Sequence, residues 1–89
     1  MTRNVSITLQ NTEDARPIIE AIEADNPAAV VVQYPAMVKI DVPDRIVVKR
    51  DSVTERLGRD FDLQEIHLSL ISLNGYIDED DDEFVLSWR

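Results

Sequence analysis

The last sixth of the chain limits the fold more than any other stretch. Six consecutive acids, Asp78 to Glu83, run straight into Phe84-Val85-Leu86-Ser87-Trp88. Adjacent carboxylates repel one another and stay in water, while Phe84, Leu86 and Trp88, the only tryptophan, alternate as the inward side chains of a half-buried strand. The border between solvent and core therefore falls between Glu83 and Phe84. Together with Asn74 to Ile77 ahead of the acids, the stretch supplies one or two closing strands.

The preceding residues supply what those strands pack against. Val5, Ile7 and Leu9 alternate with Ser6 and Thr8 as a strand. Asn11 and Thr12 offer caps for a helix with Ala15, Ile18, Ile19 and Ile22 on one face and Glu20 and Glu23 outward. Pro17 fits its first turn, and Asp25-Asn26-Pro27 ends it. Val30 to Tyr34, Val38 to Val42 and Arg45 to Arg50 read as a three-stranded meander, broken at Pro35-Ala36 and Pro43-Asp44. A second helix starts at Asp51 or Ser52, with Ser52 and Glu55 as a capping box, and stops at Gly58. Asp62 caps one more turn through Glu65, after which Ile66, Leu68 and Leu70 alternate with His67 and Ser69 as a strand.

That order predicts an α+β fold of two tandem βαββ-like units. Two main helices cover one side of mostly antiparallel sheet in a single compact domain over 1–89, with lobes of approximately 1–43 and 44–89. A chain of 89 residues with 44% hydrophobic content builds one core. Without cysteine it has no disulfide, thiolate nucleophile or zinc–thiolate site, as suits a reducing cytoplasm. Met1-Thr2-Arg3-Asn4 lacks the apolar core of a signal peptide, and no segment approaches the roughly 20 apolar residues of a membrane span. The net charge of −9 repels phosphate backbones and argues against nucleic acid. A basic protein surface or a cation suits it better.

Catalytic groups are scarce. The single histidine, His67, reads as a solvent-side or edge residue, no serine stands in a Gly-x-Ser-x-Gly setting, and two glycines cannot build a phosphate-cradling loop. Glu20 and Glu23 lack the Glu-x-x-His companion of a di-iron bundle. Asp78, Asp80 and Asp82 are spaced like the first ligands of a calcium loop, but Glu83 replaces the turn glycine and Arg89 the final bidentate glutamate. A solvated acidic turn is the better reading. Catalytic, cofactor and metal residues are accordingly predicted to be none, and the chain is predicted not to be an enzyme.

Four blocks carry a wider likeness: IEAIEADNP (Ile19 to Pro27), YPAMVKID (Tyr34 to Asp41), LGRDFDLQE (Leu57 to Glu65) and NGYIDEDDDEFVLSW (Asn74 to Trp88). With them the chain resembles the small coupling, or effector, proteins of bacterial multicomponent monooxygenases, nearest to the phenol hydroxylase branch. It lacks the long N-terminal extension of the methane monooxygenase relatives. The resemblance implies a cytoplasmic, cofactor-free protein that binds a di-iron hydroxylase served by a flavin and iron–sulfur reductase. It would couple NAD(P)H and O2 consumption to hydroxylation of phenol or related aromatics. Partner contacts are expected at Tyr34, Met37, Lys39, Tyr76, Asp80 and Asp81, with an apolar centre around Tyr34 and Met37 and a charged rim, because binding concentrates in a few apolar anchors and rim charges mainly steer. Two other readings of the acidity are a decoy for a nucleic-acid-binding surface and a weak calcium-binding module.

Overall fold

The computed structural model describes residues 3–88; Met1, Thr2 and Arg89, the last of which was compared with a calcium ligand, lie outside them. Two sheets share one core. The larger has the order β2-β3-β1-β5, built from β1 (Asn4–Gln10), β2 (Val30–Gln33), β3 (Met37–Pro43) and β5 (Leu70–Asn74). The smaller has the order β4-β7-β6, built from β4 (Arg45–Lys49), β6 (Tyr76–Glu79) and β7 (Glu83–Ser87). All pairings among the described residues are antiparallel. Helices α1 (Arg16–Asp25), α2 (Arg50–Leu57) and the single-turn α3 (Ile66–Ser69) complete an α+β fold.

The period-two pattern of β1 decides the core. Val5, Ile7 and Leu9 are wholly buried and lie opposite Val42, Ile40 and Val38 of β3. In the smaller sheet Ile46 and Val48 lie opposite Leu86 and Phe84, so the apolar half of the closing stretch is buried as its alternation predicts. Helix α1 adds Ile18, Ile19, Ala21 and Ile22, and packs against α2 and β4. Its N-cap position, Ala15, has no side-chain cap of its own, although Thr12 Oγ1 accepts from the Ala15 N–H at 3.2 Å.

Three expectations are corrected. The meander is not formed: β2 and β3 pair, but β4 leaves for the other sheet. Asp44, the only non-glycine residue with positive φ (68°) among those described, turns the chain after Pro43, and its N–H donates to the Arg3 carbonyl at 2.8 Å. An aspartate tolerates that left-handed geometry better than most side chains do. From there Ile46 and Val48 meet Phe84 and Leu86 rather than β2 or β3. In the second half β5 returns to pair with β1 before β6 and β7 form their own hairpin.

The second correction concerns the start of α2. Ser52 and Glu55 form no capping box; the helix begins at Arg50, and Lys49 at its N-cap makes no side-chain cap bond. The Arg50 N–H donates instead to the Asp82 carbonyl of the acidic turn, at 2.9 Å. One orphan donor of the first turn is thereby satisfied from a distant part of the chain. Gly58 ends the helix in left-handed geometry at φ 81°, as its position predicts.

Third, Ile66 to Ser69 is helical, not extended. Asp62 accepts from Gln64 N–H at 3.0 Å and Glu65 accepts from Asp62 N–H at 3.1 Å, a capping box that starts a 3-10 turn over Leu63–Glu65. The turn runs on into α3, so burial follows a spacing of three, through Leu63, Ile66 and Ser69, and Leu68 is left 78% exposed.

One buried polar side chain ties α1 to the smaller sheet. Asn26 donates through Nδ2 to the carbonyls of Ile22 (2.8 Å) and Val47 (2.9 Å), and its Oδ1 accepts from Val47 N–H (3.0 Å). It acts as a one-residue strand along the outer side of β4. Asn26→Ala strips both partners from the Val47 backbone, and is expected to lower unfolding stability in urea by about 2–3 kcal/mol, the cost of leaving buried polar groups unpaired. A loss below about 0.5 kcal/mol would show that water replaces the amide without penalty.

Candidate functional site

The six expected contact residues fall into two groups on different sheets. Tyr34, Met37 and Lys39 belong to the β2–β3 hairpin, where Tyr34 N–H donates to the Met37 carbonyl at 2.8 Å. Asn11 ties down the tip of that hairpin, its Nδ2 donating to the Tyr34 carbonyl at 3.0 Å and its N–H to the Ala36 carbonyl at 3.1 Å. Tyr34 and Lys39 are exposed and Met37 is half-buried. Tyr76 begins β6, and Asp80 and Asp81 lie in the turn between β6 and β7.

The acidic turn has internal order. Asp80 accepts through Oδ1 from the N–H groups of Asp82 (2.8 Å) and Glu83 (2.9 Å), while its own N–H donates to the Glu83 carbonyl at 3.0 Å. The Asp82 and Glu83 N–H groups hold the Asp80 carboxyl below the usual carboxylate range. Arg50 approaches Asp82 Oδ1 at 3.5 Å, and His67 Nε2 lies 3.4 Å from Glu79 Oε1 with its ring edge-to-face on Phe84. Across from this turn, Arg59 pairs with Glu65 at 2.8 Å, and that bond, with the Asp62 N–H, lowers the Glu65 pKa.

Two clefts open beside these elements. One of about 490 Å3 separates the turn from residues 60–64 and is lined by Asp60, Asp62, Glu79, Asp80 and Asp81 over Phe61 and Leu63. The other, of about 270 Å3, lies between the two long helices and residues 59–69, with Ile18, Val53 and Phe61 as its apolar floor. Neither brings a nucleophile to a base, and among the described residues no three carboxylate or imidazole side chains converge on a metal position. His67 is an exposed partner of Glu79, near the solvent-side position expected of it.

Sequence reasoning missed most of the exposed apolar surface. Val30 and Val32 lie outward on β2, while Leu68, Ile71, Tyr76 and Ile77 lie within ten residues of one another on α3, β5 and β6. At the end of β7, Trp88 donates through Nε1 to the Asn4 carbonyl at 2.9 Å, with Arg3 4.2 Å from its ring centroid and Tyr76 edge-on at 6.1 Å. Arginine, tryptophan and tyrosine are the side chains most often found at the centres of protein interfaces.

These features define a small α+β protein whose chemistry is that of recognition: apolar side chains and carboxylates on its surface, with no assembled reactive group among the described residues. The chain belongs to the MmoB/DmpM family, whose model matches residues 3–87. It is 45% identical over its full length, and 99% of the relative's, to the stimulatory component DmpM of phenol 2-monooxygenase from Pseudomonas sp. (strain CF600). It superposes on the regulatory protein of a phenol hydroxylase–regulatory protein complex with a TM-score of 0.93, at 42% identity, over 98% of this chain and 100% of the other. The regulatory protein B of soluble methane monooxygenase shares the fold at a TM-score of 0.76 and 22% identity, over 97% of this chain and 65% of that one.

A carboxyl whose folded pKa is lowered stabilises its surroundings above the unfolded value, and that contribution is lost as pH falls through the folded one. The turn should therefore loosen only in acid. In an NMR titration the Asp80 carboxyl is expected to titrate below the ordinary aspartate range, with the amide protons of Asp82 and Glu83 moving along the same curve. Amides indifferent to that titration would remove Asp80 from the turn's organisation.

Proposed function

We propose that this protein is the regulatory component of a phenol-hydroxylase-type monooxygenase, acting without catalytic groups by binding the di-iron hydroxylase that carries out the chemistry. The observation that supports this most directly is the end-to-end match, in sequence and in fold, to regulatory proteins of phenol hydroxylase, one of them in complex with its hydroxylase. The finer reading is that it couples NAD(P)H and O2 consumption to aromatic hydroxylation, with a flavin and iron–sulfur reductase as electron source.

A binder changes a distant reaction only by holding one conformation of its partner more tightly than another. A coupling of about 1–3 kcal/mol shifts such an equilibrium some 5- to 150-fold. No side chain has to enter the hydroxylase active site. A standard interface takes roughly 800 Å2 from each partner, about a seventh of the 5514 Å2 surface of this chain. Tyr34, Met37 and Lys39, or Tyr76, Asp80 and Asp81, supply contacts within that area.

Purified hydroxylase and reductase, titrated with this protein, are expected to give a saturable rise in catechol formed per NADH consumed. An unchanged ratio at every concentration, with phenol and O2 in excess, would refute the assignment. Met37→Ala tests the β2–β3 hairpin as a contact: weaker binding with unchanged folding supports it, and unchanged affinity and coupling remove it.

A further inference from the structure

A sheet with one paired side presents a row of backbone groups on the other, and natural proteins block, shorten or charge such edges. The outer strands here are treated unequally. The free side of β4 is closed by α1 and by the Asn26 amide on Val47. Strand β2 has only four residues; β6 is as short but continues the edge begun by β5. On the remaining side, among the described residues, β5 pairs only with β1 and β6 only with β7, and residues 70–79 form two outer strands with Gly75 alone between them.

Gly75 has a φ of 138°, and a Cβ there would lie 3.1 Å from the Leu86 side chain and 3.2 Å from that of Val5. The chain passes from one sheet to the other through this tight, glycine-favouring position, and one edge follows the other after a single residue. Along them stand Ile71 (50% exposed), Tyr76 (56%) and Ile77 (41%). Ile71 is the extra residue of a bulge, since Ser72 lies opposite Thr8 and Leu70 opposite Leu9. Bulges commonly re-aim a side chain in this way.

The charge beside this edge has one sign. From Asp60 to Trp88 there is no lysine or arginine, while Asp60, Asp62, Glu65 and the six acids from Asp78 to Glu83 all fall in that interval. A second copy would bring another net −9 against the same acids. A basic surface is attracted to them. Resting on the effector role set out above, we propose that the outer edge of β5 and β6 docks on a basic surface of the hydroxylase, with Ile71, Tyr76 and Ile77 as apolar anchors and lysine or arginine side chains of the partner meeting the acidic turn.

The test measures binding of labelled protein to purified phenol hydroxylase by fluorescence anisotropy. Ile71→Asp and Tyr76→Ala are expected each to weaken binding at least about tenfold, with Glu23→Gln on the exposed side of α1 as a control that binds like the unmodified chain. Rising salt is expected to lower the association rate steeply. Hydrogen exchange on the unmodified protein supplies a measurement that no folding defect can confuse: amides within 70–79 should gain protection when hydroxylase is added. Edge variants that bind normally, or protection confined to the β2–β3 hairpin, would overturn the docking surface while leaving the effector role standing. Loss of self-association in Ile71→Asp with unchanged hydroxylase binding would assign the edge to a second copy. An unmodified protein that neither binds nor stimulates the hydroxylase would overturn both readings.

Discussion

Two short sheets face a common core, and neither is wide enough to enclose it alone. The attachment of β4 to α1 through Asn26 fixes the smaller sheet on a helix that covers this core. Because the amide supplies both a donor and an acceptor to Val47, it satisfies the backbone of an outer strand at the point where the helix ends. The helix thereby acquires a fixed distance from the smaller sheet, and Ile18 and Ile22 are held within the same core as Ile46 and Val48. Other ties repeat the arrangement at the opposite end: Asp44 N–H on the Arg3 carbonyl and Trp88 Nε1 on the Asn4 carbonyl join the smaller sheet to the start of β1.

Legibility in the sequence followed the range of the interaction responsible. Strands β1, β3 and β7 were legible because alternation of Val, Ile, Leu and Phe with polar residues is a local signal, and their buried faces agree with it. The end of α1 at Asn26 and of α2 at Gly58 were equally local. What misled was a signal overridden by its neighbour in the chain or settled by a distant partner. Ser52 and Glu55 have the spacing of a capping box, but the Asp82 carbonyl reaches Arg50 first. Ile66, Leu68 and Leu70 have the spacing of a strand, but a helical turn launched at Asp62 arrives before them. Strand β4 follows β3 closely in sequence, yet its partner is separated from it by most of the second half of the chain.

The surface was less legible than the core for a related reason. Tyr34, Met37, Lys39, Tyr76, Asp80 and Asp81 stand out in the sequence by residue type and closeness to turns, and the fold divides them between hairpins of two sheets. Ile71 and Leu68 were invisible as surface residues, since a leucine or isoleucine in an alternating stretch reads as core until a bulge or a helical turn rotates it outward. The family likeness in the sequence supplied the function where residue chemistry could only exclude alternatives. It rested on four blocks distributed over the whole chain, and the family match over residues 3–87 has the same extent.

The bond from Arg50 N–H to the Asp82 carbonyl gives the acidic turn a second meaning. A backbone carbonyl is the same in every residue type, so the start of helix α2 is anchored by the position of residue 82, to which the Asp82 side chain adds only an exposed 3.5 Å contact with Arg50. Along most of the turn the chain is thus free in spelling but not in length. Replacing Asp81 or Asp82 leaves the helix its anchor, whereas adding or removing one residue between β6 and β7 moves a different carbonyl, or none, into place. The most hydrophilic segment of the protein behaves as a ruler.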